Sequence, residues 1–388
     1  MLFRLINARL YAPSALGVCD ILIAGGRIVD IGAAGSLAWA TAAETVDLEG
    51  RTVIPGLIDG HAHLTGGGGE SGYASRVPPV RLSRFTRAGV TSVVGVLGTD
   101  DVTRDTESLV AAAYGLREEG IGAWCHCGGY HLPPVTITGS VRRDIVFIDP
   151  VIGVGEVAIS DHRSSQPTLE EILRIAGDAH VAGMMTGKAG ILHLHLGDGA
   201  RGLELVNRAL ETSEIPARVF NPTHVNRQHA LLEEAIDLAR RGSTVDITAY
   251  PVAEDDPSVP AAAALRRFFD SGAPSENVTV SSDGGGCLPE FDDNGVLQRM
   301  DIGNPAILLE TLAALVDDGV PLETALPAFT SNVALLLRLA DRGRLAVGSS
   351  ADLVVLDDSG GADSVMARGR WHVRERIPVV YGTFEDSQ

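Results

Sequence analysis

Lysine is nearly missing from this chain: Lys188 is the only one among 388 residues, and every other cationic side chain apart from histidine is arginine. Any chemistry that requires a lysine, such as a carbamate bridging two metal ions, therefore has a single candidate. Cysteine is also sparse. Cys19, Cys125, Cys127 and Cys287 are scattered without a disulfide pattern, which suits a reducing compartment. Cys125-His126-Cys127 lacks the second pair that a structural zinc site would need, and it reads as plain strand. Positive charge is in short supply, with 31 Lys and Arg against 50 Asp and Glu and a net charge of −19. A field of that sign repels polyanions, which argues against nucleic acid or an anionic membrane as a partner. No apolar run approaches the roughly 20 residues of a membrane span. The first ten residues, from Met1 to Leu10, carry neither the apolar stretch nor the small-residue cleavage site of a signal peptide, so a soluble, cytoplasmic protein is expected.

The two ends of the chain share a pattern of short strands and turns. Asp20–Ala24, Gly25-Gly26 and Arg27–Ile31 read as a hairpin, and the style returns at Leu353–Leu356 and Val365–Val373. Residues 1–54 and 343–388 are expected to build one small β-sandwich domain, with 55–342 inserted as the catalytic barrel. This middle part alternates apolar strands with amphipathic segments, the mark of βα units on a parallel sheet. Eight strand candidates are found: 53–58, 92–97, 122–127, 152–159, 191–195, 218–221, 244–249 and 278–282. Eight is the number that closes a (β/α)8 TIM-type barrel, so the fold class is α/β. Thr168 with Glu171 three residues on predicts a capping box at a helix start, and 228–240 and 305–316 have helical spacing. Gly66–Gly69 reads as a mobile loop after the first strand.

Reactive groups in such a barrel gather where strands end. His61 and His63 close the first strand one residue apart, and alternate residues of a strand can reach one ion together. Strand 4 carries Glu156, strand 5 ends in His195, His224 follows strand 6, and Asp283 ends strand 8. Four imidazoles and two carboxylates suit two divalent cations of the zinc type. His193 lies deeper on the strand of His195 and reads as a satisfied core histidine. His126, His131 and His162 could line the site, whereas His180, His229 and His372 look like ordinary helix or strand residues.

The run PGLIDGHAH, the later single histidines, Asp283 and the segment GRLAVGSSADLVVLD (343–357) resemble the amidohydrolase superfamily over nearly the whole chain. Within it, GGYHLPPVTITGS (128–140), AISDHRSS (158–165), HLGDG (195–199), PTHVNR (222–227) and SSDGGG (281–286) are similar to the isoaspartyl dipeptidases, which cleave β-aspartyl dipeptides. The resemblance implies a metal-dependent hydrolase taking a small dipeptide, assembled as a homo-oligomer such as an octamer. It implies two divalent metal ions, zinc for choice, with a hydroxide between them as nucleophile. His61, His63, His195, His224 and Asp283 would be ligands, and Asp283 would also shuttle the proton to the leaving amine. Tyr130 would polarise the scissile carbonyl. Glu70 would hold the substrate ammonium, Arg163 and Arg227 its carboxylates, and Thr99 its aspartyl end. Two positions depart from the family. Glu156 stands where a carbamylated lysine usually bridges the metals, and Cys287 stands where a serine is usual near the leaving group. A glutamate supplies the same single negative charge and two oxygens, so Glu156 is expected to bridge directly, while Lys188 precedes strand 5 at the wrong end of the barrel. A cyclic-amide hydrolase of the dihydroorotase or hydantoinase kind, an N-acyl amino acid deacetylase or mononuclear deaminase, and a silent barrel scaffold are the alternative readings.

Overall fold

Both chain ends enter one sheet of nine strands in the computed structural model, which describes residues 1–252, 256–291 and 297–385. Leu2–Tyr11 pairs antiparallel with Ala15–Ala24, which turns through Gly25-Gly26 into Arg27–Ala33 as the hairpin pattern predicts. Thr52–Pro55 lies between Leu2–Tyr11 and Leu353–Leu356, and this strand sews the two ends together. Hydrogen bonding thus joins strands from both chain ends in a single sheet. One face of it is apolar at alternate positions, with Leu5, Leu10, Ile21, Ile23, Leu353, Val355 and Met366 sharing a core.

The first barrel strand starts later than the apolar run suggests. Gly56 separates Thr52–Pro55 from Leu57–Ala62, and a Cβ there would lie 2.2 Å from Thr91 Oγ1, so only glycine lets the chain cross so near. The barrel strands are β1 Leu57–Ala62, β2 Val90–Gly95, β3 Gly122–Cys127, β4 Val151–Ile159, β5 Leu192–Leu196, β6 Phe220–Thr223, β7 Val245–Thr248 and β8 Val278–Ser281. β1 to β6 form a parallel sheet in chain order, and β7 pairs parallel with β8. Two seams join these sheets. Val225 N donates to Asp246 O at 3.3 Å and Thr223 Oγ1 to the Asp246 carboxylate at 2.8 Å; His63 N donates to Gly284 O at 2.8 Å and Ser282 N to Asp59 Oδ1 at 3.1 Å. The result is a TIM-type ring whose strands are buried except at Gly60 and Trp124, which are partly exposed.

Helices fill the connections. Leu169–Thr186 opens with the reciprocal capping of Thr168 and Glu171 and closes on left-handed Gly187. The single lysine follows. Lys188 Nζ donates to the carbonyls of Ile145, Ile148 and Val151 at 2.6, 2.7 and 2.9 Å, which places the cation against the C-terminal carbonyls of the helix Val141–Phe147. All three of its donors are committed to structure. Among the described residues no helix is long and apolar enough to cross a membrane.

Candidate metal centre

β4 is irregular where the chemistry requires it. Val154 pairs with Leu192 but Val157 pairs with Leu194, so β4 carries one extra residue against β5. Such a bulge re-aims the side chains within it. Gly155 sits in the bulge at φ +142, and a Cβ there would come within 2.4 Å of His193 O. Its neighbour Glu156 is 1% exposed and points into a ring of imidazoles.

The two oxygens of Glu156 divide that ring. Oε1 lies 3.5 Å from both His61 Nε2 and His63 Nε2, while Oε2 lies 3.0 Å from His195 Nδ1 and 3.4 Å from His224 Nε2. Asp283 Oδ1 joins the first group, 3.0 Å from His63 Nε2 and 3.5 Å from His61 Nε2. All six residues named from the sequence for metal binding therefore converge. Burial pushes the Glu156 carboxyl up, but His61, His195 and His224 outweigh it and hold the group well below the usual range. Asp283 is likewise lowered, its burial overcome by His61 and His63. Two carboxylates and four imidazoles thus share one buried space, and His61 Nε2 and Asp283 Oδ1 are buried there without a hydrogen-bond partner. Buried polar atoms left in this way call for a further partner. Three overlapping triads, His61/His63/Glu156, His61/His224/Asp283 and Glu156/His195/His224, have ligand atoms mutually within 4.8 Å, and this donor chemistry fits divalent cations of the zinc type.

Around the ligand atoms is a set of supports that the sequence reading passed over. His61 Nδ1 meets His193 Nε2 at 2.8 Å, and His193 Nδ1 meets Asn221 Oδ1 at 2.6 Å. His195 Nε2 lies 3.0 Å from Asp161 Oδ2, and His224 Nδ1 lies 2.6 Å from Thr248 Oγ1. Asp59 accepts from Ser282 beside Asp283, and burial raises its carboxyl to about 6. Asp161 and Asp59 stand inside quoted motifs, AISDHRSS and PGLIDGHAH, and could have been found there. His193 is satisfied, as expected, but its partner is a ligand candidate.

The proposed substrate contacts lie beside this ring. Tyr130 Oη is 2.7 Å from His195 Nδ1; burial and then Glu156 push the phenol well above its ordinary value, so it keeps its proton and is a donor. Thr99 Oγ1 donates to Glu70 Oε1 at 2.9 Å, and Arg163 Nη1 approaches the same oxygen at 3.6 Å. Glu70 Oε2 is buried without a hydrogen-bond partner. Arg163 gives Nε and Nη2 to Asp161 at 3.0 and 2.7 Å. A cavity of about 450 Å³ opens over the ring, lined by Arg163, His224, Arg227, Tyr250, Asp283 and Leu288 among others. Arg227 Nε is buried there without a partner. The Cys287 thiol, half-buried, is pushed up to about 12 by burial, with Glu70 and Asp283 adding, and stays neutral.

Two expectations need correction or refinement. The Gly66–Gly69 loop is pinned, not loose: Gly67 N donates to Gly285 O at 2.8 Å, and buried Arg104 donates to Gly67 O at 3.0 Å. A Cβ at Gly66 would fall 1.9 Å from Val77 O, so close backbone approach explains the glycine there. Of the histidines thought able to line the site, His131 instead pairs with Asp101 at 2.5 Å, and His126 lies below, its ring 5.4 Å from that of His193.

Comparison with known proteins agrees with this geometry. The profile of the Amidohydrolase family matches residues 52–372. The crystal structure of the β-aspartyl dipeptidase of Fervidobacterium islandicum AW-1, in complex with a β-Asp-Leu dipeptide, is 41% identical, with 97% of this chain and 98% of that one covered and a TM-score of 0.91. Imidazolonepropionase of Ruegeria sp. is 26% identical over 92% of this chain and 91% of its own length. Dihydropyrimidinase of Brevibacillus agri, at 16% identity and TM-score 0.69 over 98% of this chain and 97% of its own, shares the fold. With its eight-stranded ring, its converging histidines and carboxylates and these matches, the chain belongs to the amidohydrolase family and is an enzyme of that superfamily.

Proposed function

We propose that the chain hydrolyses β-aspartyl dipeptides at two divalent cations, zinc for choice, bridged by Glu156 without a carbamate. One observation carries this reading: the carboxylate of Glu156 turns one oxygen to His61 and His63 and the other to His195 and His224. The 41% identity to a β-aspartyl dipeptidase supports the substrate. Cations held by His61, His63, Asp283, His195, His224 and Glu156 would acidify water and polarise a carbonyl.

The remaining steps fall to the protein. Asp283 takes the proton from the attacking water and passes it to the leaving amine, which departs poorly until protonated. Tyr130 donates its phenolic hydrogen bond to the oxygen that gains charge as the amide carbon becomes tetrahedral. Glu70, with Oε2 buried and unpaired, receives the substrate ammonium, and Thr99 sets the orientation of that carboxylate. Arg227 and Arg163 receive substrate carboxylates; for Arg163 this contact adds to its pair with Asp161. Cys287 contacts the leaving residue as a neutral thiol. An acid whose Oε2 is buried without a partner beside Arg163 favours a substrate with a free ammonium over a cyclic amide or an N-acyl amino acid.

Purified, zinc-loaded protein should release leucine from β-aspartyl-leucine and leave α-aspartyl-leucine largely intact. Equal cleavage of both dipeptides, or turnover of imidazolonepropionate in their place, would refute the substrate assignment.

A further inference from the structure

We propose that His193 and Asn221 are positioning residues that fix the tautomer of His61 and so keep its Nε2 lone pair facing the metal site. The inference rests on the metal reading above and adds the reason why one ligand is held ready. Asn221 Nδ2 lies 2.7 Å from Thr244 O, and a carbonyl can only accept, so the amide nitrogen must point there. Asn221 Oδ1 is then forced toward His193 Nδ1, 2.6 Å away, and can only accept in turn. His193 must carry its proton on Nδ1. A neutral imidazole has one donor and one acceptor, so His193 Nε2 is the acceptor. It lies 2.8 Å from His61 Nδ1, which must therefore donate. His61 Nδ1 thus carries a proton, which leaves Nε2, on the side of Glu156 and Asp283, as the nitrogen that gives up its proton to hold a cation.

Every direction in this chain is dictated by a group that cannot reverse its role, and His193, Asn221 and His61 are each at most 2% exposed, so water does not compete. The other ligand candidates are held differently. His195 Nε2 faces a carboxylate directly at Asp161, His224 Nδ1 faces a hydroxyl that can either donate or accept, and His63 Nδ1 is buried without a partner. His61 alone among these four is locked through a second histidine. Partners of this kind orient ligand rings, and removing one typically lowers metal affinity 10–100-fold.

The test is loss of zinc from the loaded full-length chain to a competing chelator, with thermal unfolding at saturating zinc as a check on folding. Asn221→Leu removes the fixed acceptor, and His193→Phe removes the relay while keeping an aromatic ring. In each, one zinc should be lost about 10–100-fold more readily while the second stays near its wild-type affinity. His193→Gln supplies an amide oxygen to His61 and should restore most of the affinity. The hydrogen-bonded Nδ1 proton resonance of His61 should be visible in wild type and His193→Gln and absent in His193→Phe. Wild type holding two zinc ions while both Asn221→Leu and His193→Phe hold them as tightly would overturn this inference alone. Wild type that binds no zinc would overturn the metal reading and the inference with it.

Discussion

Glu70 offers the sharpest quantitative test of the substrate assignment. Its Oε1 already accepts from Thr99 and faces Arg163, whereas Oε2 is buried with no partner, so a substrate ammonium would meet one committed and one waiting oxygen. Two unit charges about 3 Å apart attract by roughly 5 kcal/mol at an effective dielectric of about 20. Desolvation of the ammonium and the opposing charge of Arg163 reduce this, and the net worth of a charge-assisted hydrogen bond is about 2–3 kcal/mol. Glu70→Gln keeps shape and removes the charge, so kcat/KM for β-aspartyl-leucine should fall by about 30–150-fold, tenfold for each 1.4 kcal/mol. The control is succinyl-leucine, the same molecule without its amino group. Wild type should cleave it more slowly than the dipeptide, and Glu70→Gln should cleave it nearly as well as wild type does. If the substitution slows both compounds by the same factor, Glu70 does not read the ammonium and the argument from its unpaired oxygen is wrong.

Other perturbations reach different parts of the structure. Glu156→Ala should lower metal content from about two ions toward one, with bicarbonate giving no rescue; retention of both ions by elemental analysis removes Glu156 from the bridge. Gly155→Ala should also cost metal or folding, because the new Cβ would fall 2.4 Å from His193 O, and wild-type zinc content and melting temperature together would count against a tight bulge. His372 is fully buried with neither ring nitrogen hydrogen-bonded, and burial lowers its pKa to about 4. Because the folded value lies below the unfolded one of about 6.5, neutral His372 contributes stability above pH 6.5 that is lost as pH falls toward 4, about 3 kcal/mol in all. Urea unfolding of His372→Leu should show a shallower decline across that window than wild type; identical slopes would rule His372 out.

Much of the barrel was legible because its signals are local. Apolar runs of strand length, the capping pair Thr168–Glu171 and histidines at strand ends each lie within a few residues of one another, and the structure realises them nearly in place. The start of β1 was misplaced since Val53–Ile58 is apolar throughout, and only the crowding of Gly56 against Thr91, a contact across 35 positions, divides it between two sheets. The same limit explains why Asn221, Thr248 and the relay role of His193 were missed. Their work is done on other side chains, across separations of 24 to 132 residues, and spacing along a strand does not record it. The glycine loop was misread for a related reason. Composition reports freedom of the backbone, but Arg104 and Gly285, which remove that freedom, arrive from elsewhere in the chain.

The glutamate in place of lysine is intelligible only together with its backbone. A glutamate is shorter than a carbamylated lysine, so its carboxylate spans two ligand groups only from a main chain that carries it to their midpoint. The extra residue in β4 changes the aim of the side chain, and Gly155 lets the bulge press against His193 O where any Cβ would collide. The strand that receives this pressure is the one that carries His193 and His195, so the proposed bridge, ligand and relay residues are set by one contact between β4 and β5. With Lys188 fully occupied by three backbone carbonyls on the helix side, the chain holds no lysine able to take over the bridge. If Glu156 bridges as proposed, the charge that would otherwise come from carbon dioxide is built into the sequence, and occupancy of the bridge is expected to be independent of bicarbonate supply.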